Sequence, residues 1–279
     1  MPEHRLFSQD RPPQNTAEPF VRSEELRGRV ALVTGVGRRR GIGSAVCRAL
    51  AARGADVVFS YWKPYDREMP WGSDEGEPEN LVAELRASGV RAEAVVVDLS
   101  LPESPKKLLD AAEEGLGRPS ILVNVAAHST RDGFENLDAA TLDAHYAVNV
   151  RAMALLSVLF ARRYPGGPGG RIVNFSSGQS LGPMVGELAY AATKGAIEAF
   201  TRTLAAEVWG HGITVNAVDP GPTDTGWITK ELRDELEAGS PGAIGQPEDA
   251  ARLVAFLAGD EAARITGQTI HSEGGFFRD

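Results

Sequence analysis

Tyr190 and Lys194 stand four residues apart inside Ala189–Trp209, a stretch with the length and apolar period of a long helix. That spacing puts both side chains on one face. A phenol with a reference pKa of about 10 is a poor base at neutral pH, and a neighbouring positive charge stabilises its anion and lowers that value. The pair therefore suits proton transfer to or from an oxygen. The same spacing occurs on any amphipathic helix face, so it needs company. Ser177 supplies it, just beyond Arg171–Phe175, an apolar run read as the fifth strand of a sheet.

A second group of residues implies a ligand. Thr34, Gly35, Val36, Gly37, Arg38, Arg39, Arg40, Gly41, Ile42 and Gly43 follow one another between the first strand and the first helix. A loop there carries the pyrophosphate of a dinucleotide in doubly wound folds. Glycines let backbone approach phosphate, and the helix start offers free N–H groups and the positive end of its dipole. The bland alternative is a tight strand-to-helix turn. Position in the first βα unit favours cofactor binding by Gly35, Gly37, Gly41, Ile42 and Gly43. The arginines, with Arg39 and Arg40 assigned to the nucleotide, suit an extra 2′-phosphate. The second strand ends at Ser60, Tyr61, Trp62 and Lys63, with no Asp or Glu for a free ribose hydroxyl. NADP(H) is the preferred cofactor, with NAD(H) as the alternative, and a nicotinamide cation would add to the charge that lowers the Tyr190 pKa.

These residues need a frame. Apolar runs at 30–34, 56–60, 92–97, 121–125, 171–175, 213–218 and 268–271 read as strands. Helical spacing covers 43–53, 81–88, 105–115, 142–161, 189–209 and 247–257, and 61–80 reads as an extended loop. Continuously apolar strands alternating with helices mean a parallel sheet covered on both faces, an α/β doubly wound, Rossmann-like fold. One domain over 28–279 is expected, after an N-terminal arm over 1–27 whose first part is polar and carries Pro2, Pro12, Pro13 and Pro19.

Bulk properties agree. The chain has 279 residues, 42% hydrophobic and 24% charged, and a net charge of −9 that argues against nucleic-acid or anionic-membrane partners. No apolar run is read as approaching the roughly 20 residues of a membrane span, nor is there an apolar leader, so a cytoplasmic protein is expected. The single cysteine, Cys47, sits in an apolar helical pattern and reads as a core residue.

In register, these motifs make the chain similar to the short-chain dehydrogenase/reductase family of the classical type, from about Gly28 to Gly275. Thr34-Gly35 with Gly41-Ile42-Gly43 looks like its cofactor loop. Asp98-Leu99 resembles its adenine contact, Asn124 to Ala127 its strand-four motif, and Pro220, Gly221, Thr223 and Thr225 its nicotinamide-side segment. Ile265 to Gln268 and Gly274-Gly275 resemble its C-terminal segment. The resemblance implies a catalytic set of Asn149, Ser177, Tyr190 and Lys194. Ser177 would hold the substrate oxygen and Tyr190 would transfer the proton. Lys194 would bind the nicotinamide ribose and lower the tyrosine pKa, and Asn149 would hold a water connecting Lys194 to solvent. Tyr190 and Lys194 thus also count among the cofactor contacts, with Tyr61, Asp98, Leu99, Asn124 and Ala126.

The chain departs from that pattern in places. Five residues separate Gly35 from Gly41 where three are usual, Val125 and Asp219 each stand where Asn is usual, and the 61–80 segment is long. Trp62, Tyr65 and Trp71 there are read as capping the sheet rather than lining the ribose. Gln179, Met184 and Trp227 are candidate specificity residues, Asp224 shapes its turn, and His128 reads as a loop residue. His145, His211 and His271 lack metal-ligand spacing, and no metal site is expected. The leading expectation is hydride transfer between the nicotinamide and a ketone or secondary alcohol, 3-oxoacyl compounds among them. The alternatives are a silent dinucleotide-sensing or scaffold protein, and isomerase or dehydratase chemistry without net cofactor change. The family resemblance implies a homo-oligomer, tetramer or dimer.

Overall fold

A computed structural model describes residues 20, 22–69, 71–239 and 244–275. Its sheet has strands β1 (Val30–Thr34), β2 (Asp56–Tyr61), β3 (Ala92–Val96), β4 (Ile121–Asn124), β5 (Gly170–Phe175), β6 (Ile213–Asp219) and β7 (Thr269–His271). The order is β3-β2-β1-β4-β5-β6-β7 with every pairing parallel. β1, β4, β5 and β6 are buried along their whole length, which is why their sequences are apolar runs rather than alternations.

Helices α1 (Ile42–Ala52), α3 (Glu77–Ala87) and α9 (Pro247–Ala258) bury Val46, Leu50, Leu81, Leu85 and Val254 on one face. α4 (Ser104–Gly115), α6 (Met153–Arg163) and α7 (Leu188–Val208) bury Leu108, Leu156, Phe160 and Leu204 on the other. Cys47 is a fully buried member of the first core, and burial pushes its thiol far above the ordinary range, as an inert core residue requires.

Several expectations are revised. The arm over 1–27 lies largely outside the described residues, but its last residues are packed. Ser23 N–H donates to Ala52 O at 2.9 Å, Leu26 N–H to Arg53 O at 2.8 Å, and Leu26 is fully buried. The segment after β2 is not an extended loop. It holds α2 (Lys63–Glu68) and the first turn of α3, both started by a proline near the N-terminus that the sequence reading took as loop punctuation. An amphipathic helix, α8 (Lys230–Gly239), follows β6 unforeseen. The long helix before β5 is split into α5 (Ala139–His145), a π-helical stretch (Tyr146–Ala152) and α6.

That whole stretch, Ala139–Arg163, contains an 18-residue window with a mean hydropathy of 1.4 and is long and apolar enough to cross a membrane, which corrects the expectation that nothing approaches that length. Here it is a core helix: Ala147, Asn149, Ala152, Met153, Leu156 and Phe160 are buried against the sheet, α4 and α7.

Candidate active site

β5 ends at Phe175, and Ser177 follows in extended backbone at the carboxyl edge of the sheet. Tyr190 is the third residue of α7. The Ser177 hydroxyl lies near enough to the Tyr190 phenol to lower its pKa as a hydrogen-bonding neighbour would. Lys194, one turn on, is buried, with Nζ 5.2 Å from the centre of the Tyr190 ring. Its ammonium donates to Phe175 O at 2.7 Å. That is its one acceptor among the described residues, leaving protons free for a ligand.

Electrostatics revise part of the sequence argument. Burial raises the Tyr190 phenol above its ordinary value, helped by the Glu187 charge, and this outweighs the opposing influence of the Ser177 hydroxyl. Tyr190 is therefore a neutral acid in the protein without cofactor, not a phenolate. Burial also pulls Lys194 down to about 8, against the raising influence of Asp219.

Asn149 is the centre of the scaffold. It lies on the π-helical stretch, whose extra residue per turn shifts the side chains relative to a regular helix. Its Oδ1 accepts from His128 N–H at 2.7 Å, and its Nδ2 donates to His128 O at 2.9 Å and to Thr193 Oγ1 at 3.0 Å. Thr193 in turn donates to Tyr190 O at 2.8 Å. One amide thus ties the loop after β4 to the start of α7.

Asp132 adds a second tie that the sequence reading missed. Its carboxylate accepts from Leu188 N–H at 2.6 Å and from Ala189 N–H at 2.9 Å. These are free donors of the first turn of α7, whose own N-cap residue, Glu187, makes no side-chain bond. The signal was an Asp far away in sequence, which local capping patterns do not reveal.

The glycine loop lies at the same edge. α1 starts from Gly41 with no side-chain cap, so its first N–H groups are available to an anion. Gly35 has φ +75°, and a Cβ there would sit 2.5 Å from Ala126 Cα, so the loops after β1 and β4 touch directly. Gly37 lies against Asp66 of α2, whose Oδ2 would be 2.1 Å from an added Cβ. The donor set fits a dinucleotide: open helix-start amides, a buried ammonium with spare protons, and hydroxyls at Ser177 and Tyr190.

The arginines are already engaged with carboxylates. Arg39 is 2.9 Å from Glu84, and Arg40 is 3.9 Å from Asp224 and mostly exposed. Lys63, past the end of β2 at Tyr61, is 3.0 Å from Glu75. A 2′-phosphate would have to exchange for these partners. Trp71 and Tyr65 pack on the loops beyond the strand ends, the structural role expected of them. Trp71 donates to Asp66 at 3.0 Å, and Tyr65 packs on His128 with ring centres 5.4 Å apart.

The other assigned residues fall along this edge. Asn124 Nδ2 donates to Asn174 Oδ1 at 2.9 Å and to Ser157 Oγ at 3.1 Å, so its side-chain N–H groups serve the core. Ala126 N–H donates to Thr34 Oγ1 at 3.1 Å, and Val125 N–H shares that hydroxyl, so the Asn-to-Val departure leaves the join of β1 to β4 intact. Asp98 accepts from Ser100 N–H at 2.8 Å, and Leu99 is buried beside it.

At the end of β6, Asp219 is fully buried and its carboxylate binds Gly221 N–H at 3.0 Å and His271 at 2.9 Å. Pro220 and Gly221 then turn the chain so that Thr223 and Thr225 are buried. Thr223 donates to Gly221 O at 3.1 Å. Gln179 is drawn to Glu198 at 2.7 Å, away from a substrate role, whereas Trp227 is part-exposed with its indole N–H on Thr223 O at 2.9 Å. A cavity of about 800 Å³ bounded by Glu198, Arg202, Trp209 and His271 contains none of the four catalytic candidates and lies outside this site.

A family model described as enoyl-(acyl carrier protein) reductase matches residues 35–277. The structure of a short-chain dehydrogenase from Burkholderia cenocepacia J2315 in complex with NADP superposes with a TM-score of 0.81 at 35% identity, over 90% of this chain and 98% of that one. The chain belongs to the short-chain dehydrogenase/reductase family. This short-chain dehydrogenase/reductase is 51% identical over 253 residues to the uncharacterized oxidoreductase YjdA of Bacillus subtilis, covering 90% of this chain and 97% of that protein. It is 37% identical to the 3-oxoacyl-[acyl-carrier-protein] reductase FabG of Pseudomonas aeruginosa, over 90% and 98% of the two chains. It is an oxidoreductase of that family.

Proposed function

We propose that this short-chain dehydrogenase/reductase reduces a ketone or aldehyde carbonyl with NADPH, 3-oxoacyl compounds being one candidate class. The observation that carries the reading is the buried Lys194 ammonium, 5.2 Å from the centre of the Tyr190 ring, with the Ser177 hydroxyl acting on the same phenol. Two hydroxyls on one oxygen give that oxygen both a holding donor and an acid. Tyr190, kept neutral by burial, has its proton to give, which matches the reductive direction. Ser177 orients the carbonyl, and Lys194 both anchors the nicotinamide ribose and favours the tyrosinate left behind. The bound nicotinamide supplies the hydride. Asn149 holds the backbone of His128 and, through Thr193, the start of the catalytic helix.

NADP(H) is supported over NAD(H) by the absence of an acidic residue at the end of β2, by the arginines of the glycine loop, and by the NADP complex of the Burkholderia relative. Small-molecule carbonyls and alcohols are the partners this site fits. Exposed Leu142, Tyr146 and Leu155 on the helical stretch before β5, with Leu188 and Trp209 around α7, support a homo-oligomer. The test is purified protein with NADPH or NADH and a panel of ketones, aldehydes and 3-oxoacyl thioesters, beside Tyr190→Phe. Carbonyl-dependent NADPH oxidation that the variant loses is expected. Binding of NADPH with no turnover on any carbonyl, or product without cofactor oxidation, would overturn the reading.

A further inference from the structure

The two departures from the family's usual length, in the glycine loop and after β2, meet at one side chain. Arg38 comes from the enlarged glycine loop. Its Nε lies 3.4 Å from Asp66 Oδ1 of α2, and its guanidinium stacks 4.5 Å from the centre of the Trp71 ring. Its Nη1 donates to Thr225 O at 2.7 Å, and its Nη2 has no hydrogen-bond acceptor among the described residues. The side chain is only 20% exposed.

Topology makes the Thr225 contact consequential. Arg38 follows β1 and Thr225 follows β6, and β4 and β5 lie between those strands. Three strand spacings amount to roughly 14 Å. A link between the two loops therefore spans the carboxyl ends of β4 and β5, the strands that Ala126 and Ser177 follow. In a doubly wound sheet a dinucleotide lies along that edge. α2 covers the same edge from the other side, since Tyr65 Oη and Ser129 N–H are 3.2 Å apart in the loop after β4.

We propose that Arg38 is a strap across the cofactor cleft. Asp66 and Trp71 hold it on one side and the Thr225 carbonyl receives it on the other. It must swing out for a dinucleotide to enter or leave, and its free Nη2 then closes on the pyrophosphate, not on the 2′-phosphate. This rests on the reading of the protein as a nicotinamide-dependent enzyme. A strap of this kind slows release and treats the two nicotinamide cofactors alike, because both carry the pyrophosphate.

The test is stopped-flow release of bound NADPH and NADH, followed by nicotinamide fluorescence, in the parent, Arg38→Ala, Arg38→Lys and Trp71→Phe, with thermal melts to verify folding. For R38A, release about tenfold faster, with matching loss of affinity for NADPH and NADH, is expected from losing charge-assisted bonds. R38K and W71F, which keep the charge but loosen the clamp, fall between parent and R38A. Unchanged release in folded R38A, or in folded W71F should R38A not fold, overturns the strap alone. A loss confined to NADPH also overturns it, by assigning Arg38 to the 2′-phosphate. Failure of the parent to bind either cofactor overturns the functional reading and the strap together.

Discussion

Replacing Lys194 with methionine is predicted to raise stability at neutral pH while removing turnover. A lysine ordinarily titrates at 10.5, and burial brings Lys194 to about 8. The unfolded chain thus keeps its proton to higher pH than the folded one. Wherever the unfolded state binds more protons, stability rises with pH. The cost of burying the ammonium is complete below about 8, shrinks between 8 and 10.5, and is gone above that. Across that gap, at about 1.4 kcal/mol per pH unit, it amounts to roughly 3 kcal/mol. Methionine removes the charge at similar volume but gives up the bond to Phe175 O, worth about 1 kcal/mol. The net gain of ~2 kcal/mol corresponds to a Tm rise of roughly 4–8 °C for a chain of this size. Calorimetry of the cofactor-free parent and K194M at several pH values between neutral and strongly alkaline reads it. The gain should be largest at neutral pH and vanish or reverse once lysine is neutral in both states. A variant that melts below the parent at neutral pH, or by an amount independent of pH, would refute the reasoning.

Other outcomes follow from the same geometry. Tyr190→Phe should lower turnover by at least ~100-fold with cofactor affinity nearly unchanged, measured by steady-state rates beside fluorescence titration. Asp132→Ala removes both acceptors from the start of α7. A loss of about 1–2 kcal/mol in urea unfolding is expected, together with a lower kcat that Asp132→Ser partly restores. Gly37→Ala drives a methyl into Asp66, which Trp71 and Arg38 hold in place. A cost of about 1–3 kcal/mol and weaker binding of both cofactors should result, and unchanged melting would show that Asp66 moves aside freely.

The sheet was legible because its strands are buried on both faces and so are written as unbroken apolar runs. Ser177, Tyr190 and Lys194 were legible because a helix face and a strand end are local patterns. What remained hidden depends on distant partners. The π-helical turn leaves apolar spacing almost untouched and reveals itself only through the bonds of Asn149 to His128. α2 was hidden by Pro64, which read as loop punctuation and serves instead at a helix start. Asp132 carries no mark of the helix it caps. The direction of the Tyr190 shift also depended on burial, which outweighs the opposing influence of Ser177 and is not a property of the Tyr–Lys spacing.

The closeness of Gly37 to Asp66 ties two stretches of chain into one heritable unit. With a shorter glycine loop, α2 as it stands here would lose the small residue it lies against and the guanidinium its Asp66 faces. A side chain in place of Gly37 would likewise evict the aspartate that steadies Arg38. Transplanting the enlarged loop into another scaffold therefore requires moving 36–41 and 62–76 together. A chimaera carrying either piece alone inherits a buried charge without its counterpart.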